Sequence, residues 1–142
     1  MRKLTGGLLL ALSALAVACN DSTSPSGTLE GDYTLQTANA KSVPTVAIQD
    51  NTGTYEVLRG RIVLRTDNTF VDSLNYRFTQ PGSSPGQANW DVRQGTYIQN
   101  GDNVTLTFTP LGGGGAVDYS ITWINGDALA YSETGLSLIY RK

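Results

Sequence analysis

The sequence predicts an all-β domain, a small up-and-down antiparallel β-barrel of eight or nine strands, and three observations carry the prediction. Apolar residues recur at every second position: Val104, Leu106 and Phe108 alternate with Thr105, Thr107 and Thr109, and Tyr119, Ile121 and Trp123 with Ser120 and Thr122. Period two is the mark of a strand with one buried face. Between such runs stand pairs that turn a chain tightly, above all Asn100-Gly101 and Asn125-Gly126, where Asn-Gly supplies the positive φ angles of a type I′ hairpin. Past the N-terminal segment no stretch has helical spacing, so no helix is at hand to cover a sheet edge. Pairing the first strand, near residues 32–37, with the last, near 136–141, removes the edges altogether. A two-sheet β-sandwich satisfies the same pattern, but sandwiches use longer Greek-key crossings than these short hairpins provide.

Taken in order, the strands are marked by Tyr33/Leu35, Tyr55/Val57, Ile62/Leu64, Leu74/Tyr76/Phe78, Val104/Leu106/Phe108, Tyr119/Ile121/Trp123, Leu129/Tyr131 and Leu136/Leu138/Tyr140. Asp67-Asn68 and Glu133-Thr134-Gly135 read as two further hairpin turns, and the glycine run 112–115 as a flexible loop. Pro25, Pro44, Pro81, Pro85 and Pro110 all fall in the polar N-terminal tether, in loops or at strand ends, where a missing amide donor costs no ladder bond.

The N-terminus is of another kind. Arg2 and Lys3 precede an apolar run, residues 8–17, too short to span a bilayer stably, and Leu15-Ala16-Val17-Ala18-Cys19 places the only cysteine at its end. This pattern resembles a bacterial lipoprotein signal. The resemblance implies a signal peptide over 1–18, lipidation of Cys19 with acyl chains such as palmitate, a polar tether over 19–28 and the barrel over 29–142. Several acyl chains on one residue give lasting membrane attachment, which a single chain does not. An ordinary secretory signal cut after Ala18, leaving a free thiol, and an uncut membrane anchor fit the same residues. In the lipoprotein family Asp after the cysteine favours the inner membrane; here Asn20 follows, which implies outer-membrane or surface display in a diderm host.

Composition removes several chemistries. The chain has no histidine, hence neither the usual general base nor the commonest nitrogen metal ligand, and its one cysteine is assigned to lipid. Its formal charge is −2, and losing Arg2 and Lys3 with the leader makes it −4. Arg59, Arg61, Arg65, Arg77 and Arg93 are interleaved with Glu56, Asp67, Asp72 and Asp91, which leaves no basic cluster for nucleic acid. Asp67, Asp72, Asp102 and Asp127 read as turn residues that bond local amides rather than as acid or base catalysts. The spacing from Asp67 to Asp72 lacks the alternating oxygen ligands of a calcium loop, and the 112–115 run lacks the Lys-Ser/Thr ending of a phosphate loop. The expectation is a non-enzyme with no cofactor, no metal and no catalytic residues.

Gly31-Asp32-Tyr33-Thr34-Leu35, a loop ending Ser42-Val43-Pro44, the run from Gly60-Arg61-Ile62 to Asn68-Thr69-Phe70, Gly95-Thr96-Tyr97 and the closing Tyr140-Arg141 together resemble small bacterial lipocalin-like lipoproteins. That implies a lipocalin-like barrel. Strand phase turns many aromatic residues inward, and Tyr33, Leu64, Tyr76, Phe78, Phe108, Trp123, Tyr131 and Tyr140 are the candidates to line a ligand. The same residues can instead fill the barrel solidly, since eight strands leave an interior just wide enough for side chains. Arg61, Arg65 and Arg77 are candidates for a carboxylate at the mouth or for surface ion pairs. Two functions follow: a lipid-anchored envelope lipoprotein that binds a small hydrophobic or amphipathic molecule, or a structural module that meets an envelope protein through loops 81–89 and 111–116 or a strand edge. A lumen of roughly 300 Å³ or more favours the first.

Overall fold

The computed structural model describes residues 27–133 and 135–142; the leader, Cys19 and nearly all of the tether lie outside the described residues. Ten strands follow one another: β1 (Gly31–Ala38), β2 (Lys41–Ser42), β3 (Thr45–Gln49), β4 (Thr54–Leu64), β5 (Thr69–Thr79), β6 (Ala88–Asn100), β7 (Asn103–Phe108), β8 (Val117–Ile124), β9 (Ala128–Glu133) and β10 (Leu136–Arg141). Every pairing is antiparallel. Neighbours in sequence from β4 to β10 pair in turn, and β1 pairs with both β10 and β4, which closes a barrel of eight strands. The first and last strands meet as expected, Leu35 opposite Tyr140 and Ala38 opposite Leu138. Two extra strands, β2 and β3, flank β1 and β4 outside the ring. The architecture is a barrel, not a sandwich.

Three local features depart from the sequence expectation. The runs at Tyr55/Val57 and Ile62/Leu64 belong to one strand, β4, because a register shift between Val57 and Arg59 inserts an extra residue. Such a bulge reverses the alternation, so Val57 and Ile62 are both buried although five positions apart. Of the pair Asn100-Gly101 only Gly101 is left-handed (φ 60°), and Asn100 pairs with Asn103, so this hairpin turns on Gly101-Asp102 in the type II′ manner. Asn125 (φ 51°) and Gly126 (φ 82°) do form the type I′ turn, closed by Asp127 N–H donating to the Ile124 carbonyl at 3.3 Å. Finally β6, the longest strand, reverses the usual pattern over its first half: Trp90 and Val92 are exposed while Asp91 and Arg93 alternate with them on the inner side, and only Tyr97 brings an apolar side chain into the core.

One end of the barrel is packed shut. Tyr33, Leu64, Phe70, Tyr97, Val104 and Trp123 are buried there, with Leu29 laid beneath them. Each such side chain contributes about 1.5–3 kcal/mol on burial. Two polar tips are tied to backbone, Tyr33 Oη donating to the Leu29 carbonyl (2.6 Å) and Tyr97 Oη to that of Arg65 (2.7 Å), while Trp123 Nε1 has no hydrogen-bond partner among the described residues. The opposite end carries the longer loops and is lower on one side. There β7 stops at Phe108, opposite Gly95, so residues 88–94 of β6 pair with β5 alone.

Candidate functional site

Behind that open end lies a cavity of about 130 Å³. Ile62, Ile121 and Leu138 give it an apolar base, Tyr55, Tyr119, Tyr131 and Tyr140 its aromatic walls, and Asp72, Asp91, Arg93 and Glu133 its charge. The strands explain the placement. Asp72 stands between Phe70 and Leu74 on the inward phase of β5, and Arg93 stands on that of β6, four positions before the buried Tyr97.

Asp72 is the deepest of the charged groups, 9% exposed. Its Oδ2 accepts a hydrogen bond from Tyr119 Oη (3.0 Å), while Oδ1 has no hydrogen-bond partner among the described residues. Burial pushes its carboxyl up to about 6, against the Tyr119 hydrogen bond and the charge of Arg93, which favour ionisation. Arg93 reaches Asp91 Oδ2 with Nη2 (2.6 Å) and Nε (3.0 Å). Its guanidinium lies over the rings of Phe108 (5.4 Å) and Tyr119 (5.3 Å), a cation–π arrangement. Burial disfavours its charge, but Asp91 and Asp72 more than offset this and raise its pKa.

Tyr119 is the centre of the aromatic wall. It meets Phe70, Phe108 and Tyr131 edge-on, with centroids 6.1, 6.0 and 5.8 Å away. These are favourable geometries for ring quadrupoles. Burial, then the charge of Asp72, raises its hydroxyl far above the usual phenol value. Tyr131 Oη donates to Glu133 Oε2 in a short bond, and burial and that carboxylate push it up to about 12. The tyrosines therefore remain neutral; the hydroxyls of Tyr119 and Tyr131 are committed to carboxylates, while those of Tyr55 and Tyr140 make no hydrogen bond among the described residues.

Replacing Tyr119 with phenylalanine keeps the ring contacts and removes the one side-chain donor to Asp72 among the described residues. The carboxylate midpoint, followed by NMR, is expected to rise above 6, because the lost bond favoured the charged form. An unchanged or lower midpoint would mean that Tyr119 does not hold this group.

Of the ligand-lining candidates, Tyr131 and Tyr140 line the cavity. Tyr33, Leu64 and Trp123 point inward but belong to the packed end. Tyr76 stacks on Tyr55 at 5.0 Å, Phe78 is exposed at the tip of β5, and Phe108 covers Arg93 at the rim. Arg61 and Arg77 form ion pairs with Asp32 and Glu56, as one of the two sequence readings has it, whereas Arg65 forms none among the described residues and reaches Thr69 Oγ1 (3.4 Å). Asp67 behaves as a turn acid, its Oδ1 accepting the Thr69 amide at 3.0 Å. Asp72 does not: it is inside the barrel, and the phase it shares with Phe70 and Leu74 was the available signal.

Among the described residues no group of three or more His, Cys, Asp or Glu side chains is placed to hold a metal ion. No protein-family model, curated protein or solved structure matches this chain. The cavity's own chemistry is therefore what bears on function.

Proposed function

We propose that this chain is a lipid-anchored envelope lipoprotein whose barrel binds a small ligand in its open half without catalysing a reaction. The Leu15-to-Cys19 pattern supports the anchor. The ligand reading rests on one observation above all, the buried Asp72 Oδ1 left without a partner beside a cavity. An orphaned buried carboxylate oxygen costs free energy that a bound donor would recover. The volume sets the ligand's size. About 130 Å³ falls short of the roughly 300 Å³ that would favour a carrier of a hydrophobic or amphipathic molecule, which argues against an acyl chain in the lumen and confines the reading to a much smaller ligand. It is close to the ~150 Å³ that accepts benzene, or about six heavy atoms.

The test uses the full chain expressed in a bacterial host with labelled palmitate, beside Cys19→Ser. Label and membrane fractionation are expected for the native chain and lost in the variant; equal behaviour of the two would remove the anchor. Native mass spectrometry of the detergent-extracted protein is expected to show a one-to-one adduct of small mass. A bare protein would favour a second reading, an interaction module. That reading draws on the stretch 88–94 of β6, which pairs with β5 but is open on its β7 side, and where Trp90 and Val92 are half exposed beside a groove of about 580 Å³. An extended partner segment could add there as a strand.

A further inference from the structure

We infer that the ligand is a small primary alkylammonium ion, seated between the Asp72 carboxylate and the tyrosine walls of the cavity. This rests on the ligand reading above and adds the chemical class. Count what the cavity offers. Its three carboxylates, Asp72, Asp91 and Glu133, face one cation, Arg93, so the pocket carries excess negative charge. The hydroxyls of Tyr119 and Tyr131 are spent on Asp72 and Glu133, and Arg93 is spent on Asp91, while those of Tyr55 and Tyr140 stay open and can donate or accept. What remains open at Asp72 Oδ1 is an acceptor, nine-tenths buried with its residue. A ligand that suits it donates hydrogen bonds, and the excess of carboxylates over cations favours a positive charge over carboxylates and phosphates.

The walls make the same selection. The guanidinium of Arg93 already lies over Tyr119 and over Phe108 at the rim, so a cation is held against the aromatic surface next to the cavity. An ammonium ion adds what a guanidinium on a tethered side chain does not supply: three donors free to turn toward Oδ1. A quaternary ammonium has the charge but no donor. Volume limits the alkyl part to a short chain that can rest on Ile62, Ile121 and Leu138. Arg93 is thus an internal competitor at the rim, holding Asp91 and shielding the deeper carboxylate.

The experiment titrates the full-length protein with butylammonium, and with butanol, butyrate and tetramethylammonium as matched probes, by calorimetry at neutral pH. Butylammonium is expected to bind, the others more weakly by about tenfold or more, as loss of one charge-assisted hydrogen bond implies. Asp72→Asn is expected to lose about tenfold or more in butylammonium affinity while its melting temperature does not fall. Arg93→Gln is expected to tighten it, whereas an anion site would weaken. Equal binding of butanol, or weaker binding in Arg93→Gln, overturns the cation assignment and leaves a ligand pocket. No binding of any probe together with a bare native mass overturns the ligand reading itself.

Discussion

Gly95→Ala is expected to destabilise the barrel by about 3 kcal/mol or more, near or beyond the upper range for inserting a methyl group into a packed site. An alanine Cβ at this position would lie 1.9 Å from the Thr107 carbonyl oxygen, 3.0 Å from its carbon and 3.1 Å from Phe108 Cα. All three are backbone atoms, so no side-chain rotation relieves the contact. Either β7 moves away or β6 does. Gly95 opposite Phe108 is also the last rung of the β6–β7 ladder before β6 runs on with β5 as its single partner, so any separation begins at the end of the ladder. Urea denaturation of the two proteins measures the difference. The contrast is Gly101→Ala, where no atom lies within 4 Å of the added carbon and only the left-handed φ of 60° is penalised, by about 1–2 kcal/mol. A Gly95→Ala loss under about 1 kcal/mol would show that the close approach of β6 and β7 is not required. Because Arg93 and Phe108 flank this rung, the same substitution is expected to disturb the rim of the cavity.

How far the sequence discloses such features depends on what each residue's phase reports. The closing of β1 on β10 was legible, because alternation at both ends of the chain and the lack of a covering helix leave few alternatives. So were the hairpins at Asn125-Gly126 and Asp67-Asn68, whose left-handed positions fall on residues that tolerate them. β6 was not, and the reason is physical: its outer face carries Trp90, Val92 and Ile98 while its inner face carries Asp91 and Arg93, the inverse of the usual pattern. A reading that follows apolar residues inward passes over a strand built this way. The site was lost with it. Asp72 had the right phase, but an acid near a turn has a simpler explanation, and only three-dimensional pairing brings Tyr119 and Arg93 to it. Nor does phase distinguish Tyr33, which packs against Leu29, from Tyr140, which borders space; both are buried and both alternate correctly.

Asp72→Asn is expected to make the protein more stable at neutral pH, by about 2 kcal/mol, which is the opposite of what removing a structural carboxylate does. The sign follows from the direction of the shift. The folded carboxyl titrates at about 6 and the unfolded one at about 3.8, so the folded state holds the proton more tightly. The stability this gives is fully present below pH 3.8 and is lost as pH rises through 6, a difference of about two pKa units or ~3 kcal/mol. Asparagine mimics the protonated form at every pH and escapes the loss. It recovers less than the whole because its amide nitrogen, if placed where Oδ1 is, inherits that atom's lack of a partner. Asp32, Asp50 and Asp67, whose pKa values are lowered by hydrogen bonds, act in the other direction and below pH 3.8. They are common to both proteins, so the difference between the two stability curves isolates Asp72. The curves should meet near pH 4 and separate by pH 7.5. A variant less stable than the native chain at neutral pH would make Asp72 a structural anion satisfied by Arg93, and the pocket would lose the group that recommends a cationic ligand. A variant that is more stable yet no longer binds butylammonium would place Asp72 where folding energy has been exchanged for recognition, which a packed, ligand-free barrel has no cause to do.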